Sequence, residues 1–196
     1  MSAMIPYEFD AERFSRWMAY VLRHNPLRYG LQPDKHGFVD LEEFVLIAKR
    51  RYPSVSDDRL RSLIESGGAG RFEITGDRLR ARYGHSIAIE PVGSPVEPPS
   101  RLYHGTEVGR SATILSEGLQ PLERRMLHLS ETVADALEVA RRKTDRPVVI
   151  RVEAVDAHRS GIPFYREGKV YLASRIPIQF LSLEPLPDIL NTPASS

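Results

Sequence analysis

The 196-residue sequence predicts an α+β fold in two parts, and three observations lead to that prediction. A stretch from Glu90 to Ser100 contains four prolines and no apolar periodicity, which is typical of a semi-extended connector. Before this stretch, apolar residues recur at helical spacing, and after it short alternating runs indicate strands. We therefore predict domains at residues 1–89 and 101–196, joined by a linker at residues 90–100.

The first helix is predicted to begin after Asp10, a favourable N-cap, and to stop before Pro26. Its apolar residues share one face: Phe14, Trp17, Met18, Val21 and Leu22. Arg23 and His24 fall in the last turn, where cations complement the helix dipole and stabilise the helix by about 0.3–1 kcal/mol. Helix punctuation alone would therefore account for this pair of residues.

Two more helices and a hairpin complete the first part. Asp40, with a glutamate three residues later, predicts a capped helix whose inward residues are Leu41, Phe44, Val45 and Ala48. Ser56 is predicted to begin a third helix, and Gly67 to end it, with inward residues Leu60, Leu63 and Ile64. Alternating runs around Gly76 and Asp77 predict a β-hairpin. Three helices and a hairpin are the outline of a winged helix, a fold that often binds nucleic acid.

The second part is predicted to be mostly antiparallel sheet. Its strand-like runs are "RLYHGT", "MLHLS", "PVVIRVEA", "KVYLAS" and "IQFLSLEPL". Helices are predicted from about Glu107 to Glu117, and from after Ser130 to the basic residues at 141–143. No G-x-G-x-x-G or G-x-x-x-x-G-K motif occurs, so Rossmann and P-loop nucleotide sites are not supported.

The charge balance argues against a protein that wraps duplex nucleic acid. Lys and Arg number 27 and Asp and Glu 26, which gives a net charge of only +1. Binding through counterion release usually requires a larger positive excess, so any contact with nucleic acid should be local and geometric. Only four of the basic residues are lysine, and arginine has the planar fork that suits phosphate, although genomic composition explains the same bias.

Several site classes are excluded by composition. The chain has no cysteine, which removes disulfides, thiolate catalysis and cysteine-based metal sites. The six histidines show no H-x-x-x-H or H-E-x-x-H spacing, so we expect no metal. No apolar run approaches the ~20 residues of a membrane helix, and the N-terminus lacks signal-peptide features. We expect a cytoplasmic monomer that does not bind membranes.

Four short stretches suggest chemistry: "LRHNP", "GRFEI", "LYHGT" and "GLQPLERRMLHLS". In the third, the small residues after His104 would allow a ligand to approach the backbone. Each stretch also has a structural alternative. His104 could be a core histidine bonded across a sheet. Arg71 could pair with Glu73, Asp77 or another acid on the hairpin face. The arginines at 124 and 125 could form a solvated loop.

In this combination and order, the stretches resemble the NAD-dependent RNA 2′-phosphotransferases, best known for the final step of tRNA splicing. The likeness covers about residues 11–185 and includes "YGLQPDKHGFVDLEEF", "LRARYGHSI" and "VDAHRSGIPFY". The resemblance implies an N-terminal winged-helix lobe that binds RNA and a C-terminal NAD-binding lobe of the ADP-ribosyltransferase type. It implies action on 2′-phosphorylated RNA, in tRNA splicing or RNA repair, with NAD as co-substrate and no metal.

The resemblance also implies the site residues. The catalytic set would be Arg23, His24, Arg71 and Arg124, and the NAD-binding set His104, Gly105, Thr106, His128 and Ser130. Val170 lies where many ADP-ribosyltransferases have a glutamate. The chain departs from the family in "RARYGHS", where Arg-Ala-Asn-Gln-Gly-His-Ser is more common, and at Arg125, which could replace Arg124 at the phosphate.

The implied reaction moves the RNA 2′-phosphate to NAD through an RNA–phospho–ADP-ribose intermediate. The products are RNA 2′-hydroxyl, nicotinamide and ADP-ribose 1″,2″-cyclic phosphate. One alternative is ADP-ribosyl transfer to a nucleic-acid end or to a protein, and another is a non-catalytic winged-helix binder of RNA or DNA.

Overall fold

The computed structural model describes residues 9–66 and 70–186. The chain folds as two compact units, Met1–Glu90 and Pro91–Ser196. One antiparallel sheet has three strands and the other has six. The prediction of a mixed fold with antiparallel sheets is therefore confirmed.

The first unit has three helices and a small sheet. In chain order the elements are α1 (Ala11–His24), β1 (Val39–Asp40), α2 (Leu41–Arg51), α3 (Asp57–Ser66), β2 (Phe72–Thr75) and β3 (Arg78–Ala81). A 3₁₀ turn at Leu27–Tyr29 follows α1, and the strand order is β1-β3-β2. Strand β1 was not predicted, because two residues carry no periodicity of their own.

The predicted N-caps are confirmed in all three helices. Asp10 accepts the N–H of Arg13 at 2.9 Å, and Asp40 accepts that of Glu43 at 2.8 Å. Ser56 accepts the N–H of Arg59 at 3.3 Å, so α3 begins as expected. Each cap satisfies a backbone donor that would otherwise have no partner in the helix, which stabilises it by about 1 kcal/mol. The predicted stop at residue 67 lies outside the described residues.

The core of the first unit forms around the apolar face of α1. The least accessible side chains of the three helices and β3 include Phe14, Met18, Val21, Leu22, Phe44, Leu60 and Leu79. Burying each such side chain stabilises the fold by about 1.5–3 kcal/mol. The hairpin turns at Gly76, whose φ of 61° is the left-handed conformation that glycine adopts without strain.

The second unit is a six-stranded sheet with helices on both faces. Its elements are β4 (Arg101–Glu107), α4 (Val108–Glu117), β5 (Leu127–Ser130), α5 (Val133–Arg141), β6 (Pro147–Glu153), α6 (Ala154–Arg159), β7 (Tyr165–Glu167), β8 (Val170–Ala173) and β9 (Leu181–Leu183). The strand order is β7-β8-β5-β4-β6-β9. Helix α6 and strand β7 were not predicted, and the last predicted strand begins instead with a 3₁₀ turn at Ile178–Phe180.

The two faces of this sheet bury different cores. One face packs against α4 and α6 and includes Leu102, Leu127, Leu129, Ile150 and Val152. The other face packs against α5, where Ala136 and Leu137 meet Val149 and Tyr103. Because strand side chains alternate between faces, neighbouring residues of β4 belong to different cores.

The proline-rich segment runs along the second unit, where the N–H of Val96 donates to the carbonyl of Phe164 at 2.7 Å.

Within residues 9–66 and 70–186, no helix has both the length and the apolar character needed to cross a membrane.

Candidate active site

The C-terminal end of α1 lies against one short segment, Tyr83–Ser86. The guanidinium carbon of Arg23 is 5.2 Å from the centroid of the Tyr83 ring, a cation–π distance. The Nδ1 atom of His24 is 2.9 Å from the Oγ atom of Ser86. We call these residues, with Gly84 and His85, the arginine–histidine cluster. Sequence spacing could not predict these contacts, because 62 positions separate His24 from Ser86.

The backbone of the cluster approaches Arg23 closely. A Cβ built on Gly84 would lie 3.3 Å from the Cδ, Nε and Nη1 atoms of Arg23. Gly84 also has a φ of 91°, a conformation that residues with side chains rarely adopt. The glycine therefore serves both the turn and the packing of the arginine.

His85 is the buried member of the cluster, with 4% of its surface exposed. Burial, together with the nearby charges of Arg23, Arg80 and His24, lowers the pKa of His85 from 6.5 to about 3, and burial is the largest cause. Within the part of the chain that the structure describes, the buried Nε2 atom of His85 has no hydrogen-bond partner. The imidazole ring of His85 is therefore neutral and lies near the positive charges that lower its pKa.

Arg71 lies beside α1. Its Nη2 atom donates to the Oγ atom of Ser15 at 2.8 Å, and its carbonyl accepts the N–H of Arg82 at 2.9 Å. Ser15 precedes Arg23 by eight residues, or about two turns of α1. The alternative that Arg71 pairs with Glu73 is not observed. Glu73 instead binds Arg80 and Arg82.

A buried ion pair supports the hairpin that follows Arg71. Arg80, 2% exposed, donates from Nε to Glu73 at 2.7 Å, and Nη1 of Arg82 lies 3.5 Å from the same carboxylate. The Arg80 guanidinium also lies 5.1 Å from the Phe38 ring centroid. Since breaking a buried pair leaves an uncompensated charge, Glu73 holds these arginines in fixed positions.

In the second unit, β4 and β5 part soon after they meet. Strand β4 pairs with β6 along its whole length, but its register with β5 is limited to Tyr103 opposite Ser130. Beyond that pair, residues 104–106 and 127–129 face each other without registered pairing. We call this gap the β4–β5 opening. It contains the predicted NAD-binding residues His104, Gly105, Thr106 and His128, and Ser130 lies at its edge, in the registered pair.

His104 bridges the β4–β5 opening. Its Nδ1 atom is 3.2 Å from the carbonyl oxygen of His128, so Nδ1 carries the proton that is donated. Burial lowers the pKa of His104, the bond to His128 opposes this, and the charges of Arg110, Lys143 and Arg124 lower it further. The neutral ring therefore has an acceptor at Nε2. The alternative of a histidine hydrogen-bonded across the sheet is therefore observed. Because that bond uses Nδ1, the acceptor at Nε2 is not used by it.

Gly105 is required by the packing of α5. A Cβ on Gly105 would lie 1.9 Å from the carbonyl oxygen of Ala136, so no side chain fits there. A small residue is expected here from the sequence because it leaves space for a ligand. Close packing against α5 is a second, structural reason for the glycine. Strand alternation places His104 and Thr106 on the opposite face from His128 and Ser130.

Arg124 and Arg125 are exposed in a bend before β5. Arg124 is one of the cations whose charge lowers the pKa of His104, so its charge acts on the β4–β5 opening. Val170 lies opposite Ser130 on β8.

A cavity of about 610 Å³ opens where β5 passes into α5. It is lined by Glu97, Pro98, Pro99, Glu131, Thr132, Arg166 and Tyr171. Arg166 already pairs with Glu131 at 3.1 Å, which partly neutralises it as an anion site. Among the residues that the structure describes, no three His, Cys, Asp or Glu side chains converge as metal ligands.

Comparison with known proteins identifies one family whose model covers both groups of residues. The model of a family described as RNA 2′-phosphotransferase, Tpt1 / KptA family, matches residues 10–175. The chain belongs to the RNA 2′-phosphotransferase family. The predicted resemblance is therefore confirmed, and the matched region contains all nine predicted site residues.

Relatives match over nearly their full length. A probable RNA 2′-phosphotransferase of Thermococcus kodakarensis is 40% identical over 176 residues, which cover 89% of this chain and 97% of that protein. A protein of the same name from Acetivibrio thermocellus is 38% identical over 178 residues, covering 89% of this chain and 98% of the relative. A probable RNA 2′-phosphotransferase of Rhizobium leguminosarum is 37% identical over 169 residues, which cover 86% of this chain and 91% of the relative.

Proposed function

We propose that this RNA 2′-phosphotransferase moves the internal 2′-phosphate of RNA to NAD. The observation that carries the proposal is the family match over residues 10–175, which extends across both units and includes every proposed site residue. In keeping with it, we assign the first unit as a winged-helix RNA lobe. Its three helices and β2–β3 hairpin support that assignment. We assign the second as an NAD lobe of the ADP-ribosyltransferase type.

NAD is assigned to the β4–β5 opening. Nε2 of the neutral His104 can accept a hydrogen bond from a ribose hydroxyl, and the strand edges beyond the Tyr103–Ser130 pair can supply backbone donors and acceptors. We propose that Gly105, Thr106, His128 and Ser130 complete this site. Val170 cannot bind the nicotinamide ribose as a carboxylate would, which leaves the 2″-hydroxyl of that ribose available to react.

The first step forms a bond between a 2′-phosphate oxygen and C1″ of the nicotinamide ribose, and the bond to nicotinamide breaks. The attacking phosphate is already an anion, so this step needs no general base. In the second step the 2″-hydroxyl attacks phosphorus, and the bond to the RNA 2′-oxygen breaks. The proton of the 2″-hydroxyl passes to that oxygen, which gives RNA 2′-hydroxyl and ADP-ribose 1″,2″-cyclic phosphate.

Negative charge on the phosphoryl oxygens is greatest in the second step, where fixed cationic donors have most effect. We propose that Arg23, Arg71 and Arg124 supply those donors, because guanidinium remains charged and binds phosphate with two N–H groups. His24 contributes a hydrogen bond or transfers the proton. Since the arginines provide the positive charge, we propose a reaction without a metal ion.

The test is incubation of a 2′-phosphorylated oligoribonucleotide with the full chain, with and without NAD, followed by mass spectrometry. We expect RNA 2′-hydroxyl, nicotinamide and the cyclic phosphate in equal amounts, and no reaction without NAD. A stably ADP-ribosylated RNA or protein would support the alternative transferase. RNA binding without nicotinamide release would indicate a non-catalytic binder, and either result would overturn the proposal.

A further inference from the structure

Ser86 makes two separate contacts with the end of α1. Its backbone N–H donates to the carbonyl of Arg23 at 3.1 Å, and its Oγ atom lies 2.9 Å from Nδ1 of His24. The last carbonyls of a helix have no partner within the helix, so the first contact satisfies a group that would otherwise need water. One residue thus holds both the main chain and a side chain of the Arg23–His24 pair.

The second contact determines which ring nitrogen of His24 faces outward. His24 is exposed, and an exposed imidazole ring rotates and exchanges its proton between two nitrogens. With Nδ1 bonded to Ser86, Nε2 is the ring nitrogen on the side away from Ser86. The ring of Tyr20, one helical turn earlier, has its centroid 6.3 Å from that of His24, within the distance of an aromatic contact.

The same segment positions Arg23. Tyr83 lies under the guanidinium, and Gly84 brings the backbone against its Cδ, Nε and Nη1 atoms. Both side chains of the pair therefore contact the segment 83–86, and Ser86 is the member that reaches His24 through a side chain.

We infer that Ser86 is a positioning residue, which orients His24 through Nδ1 so that Nε2 faces the reacting phosphate. The role of His24 in that reaction rests on the proposed function. The orientation itself does not, because it follows from the contacts within the first unit. Ser86 acts on the reaction only through His24.

The first test needs neither RNA nor NAD. The full chain is labelled with ¹⁵N-histidine, and the ring nitrogens of His24 are followed by NMR, with His24→Gln for assignment. We expect Ser86→Ala to change the balance between the Nδ1–H and Nε2–H forms of His24. We expect Ser86→Thr, which retains the hydroxyl, to preserve it. Unchanged His24 signals in Ser86→Ala would overturn the inference.

The second test measures kcat and KM on 2′-phosphorylated RNA and NAD. Ser86→Ala should lower kcat by about 10- to 100-fold, the usual effect of removing a residue that orients a reacting group, and leave KM for NAD within twofold. Ser86→Thr should restore most of the rate. The control is Ser66→Ala, which removes a hydroxyl bonded to the carbonyl of Ser62 on the exposed side of α3.

Equal kcat in Ser86→Ala and Ser66→Ala, or no recovery in Ser86→Thr, would overturn the positioning role. The two tests also separate this inference from the proposed function. If the wild-type chain does not act on 2′-phosphorylated RNA, the NMR result still decides whether Ser86 orients His24.

Discussion

In the first unit, the charges of Arg23, Arg80 and His24 surround the buried His85, whereas in the second unit the half-buried His104 bonds to a carbonyl where two strands part. The first arrangement concentrates cations and holds them by side-chain contacts from one segment. In the second arrangement, β4 and β5 are registered only at Tyr103 and Ser130, so that strand edges lie beside the neutral ring of His104. Under the proposed function the two arrangements have different tasks: the fixed positive charge of the first unit suits a phosphate, and the strand edges of the second suit a ribose and its base. Arg124 is the one residue of the second unit that the proposal assigns to the phosphate.

The largest expected effect concerns Arg124, the arginine whose charge acts on His104. We expect Arg124→Ala to lower the single-turnover rate by ~10²–10³, the usual effect of losing one preorganised donor. The dissociation constant for NAD should change little, because the proposed partner of Arg124 is the phosphoryl group. Arg125→Ala is the matched control. A tenfold weaker binding of NAD with normal turnover would show that Arg124 serves the nucleotide instead.

The next effect follows from the pKa of His85. With a pKa of about 3 when folded and 6.5 when unfolded, the unfolded state binds more protons between those values, so stability decreases as pH falls. We expect the first unit to lose roughly 2–3 kcal/mol between pH 7 and pH 4.5. Urea unfolding followed through Trp17, the single tryptophan, would measure it.

The control for this prediction is a pair of variants. His85→Gln should make the pH dependence flatter, although its stability at pH 7 will differ, and His36→Gln should retain the wild-type slope. An unchanged slope in His85→Gln would mean that other groups cause the loss at low pH, and that His85 is not the neutral centre of the cluster.

The smallest effect concerns the second unit. Gly105→Ala would place a Cβ 1.9 Å from the carbonyl oxygen of Ala136, so α5 must shift, and we expect a loss of about 1–3 kcal/mol. Gly109→Ala is the matched control, because nothing lies within 4 Å of its added Cβ. Urea unfolding followed by circular dichroism compares the two. Equal stability would show that α5 and β4 have room to separate, and would weaken the structural role of Gly105.

The sequence predicted the elements whose signals are local. The caps at Asp10, Asp40 and Ser56 and the turn at Gly76 each depend on a few neighbouring residues, and all are observed. Features that depend on distant partners were not predicted. Strand β1 exists because Val39 meets Leu79, and α6 follows β6 directly, without a turn signal between them.

The same distinction applies to the candidate site. Chain order and resemblance indicated the residue types, but not the contacts that hold them. Arg80 looks like an exposed strand residue in the sequence, yet it is buried because Glu73 and Phe38 compensate its charge. Ser86 could have been noted only through the quoted stretch "LRARYGHSI", since nothing local relates it to His24. The β4–β5 opening results from missing pairing, which no periodicity reveals.

The measurement that most directly tests the division of tasks is a time course with 2′-phosphorylated RNA and NAD, analysed by mass spectrometry. We predict that Arg23→Ala or His24→Ala accumulates RNA–phospho–ADP-ribose, because weakening the cationic set slows the second step more than the first. His104→Ala should slow RNA consumption without that accumulation. If no first-unit variant ever builds up the intermediate, the cationic set serves binding or the first step, and the division of tasks proposed here is wrong.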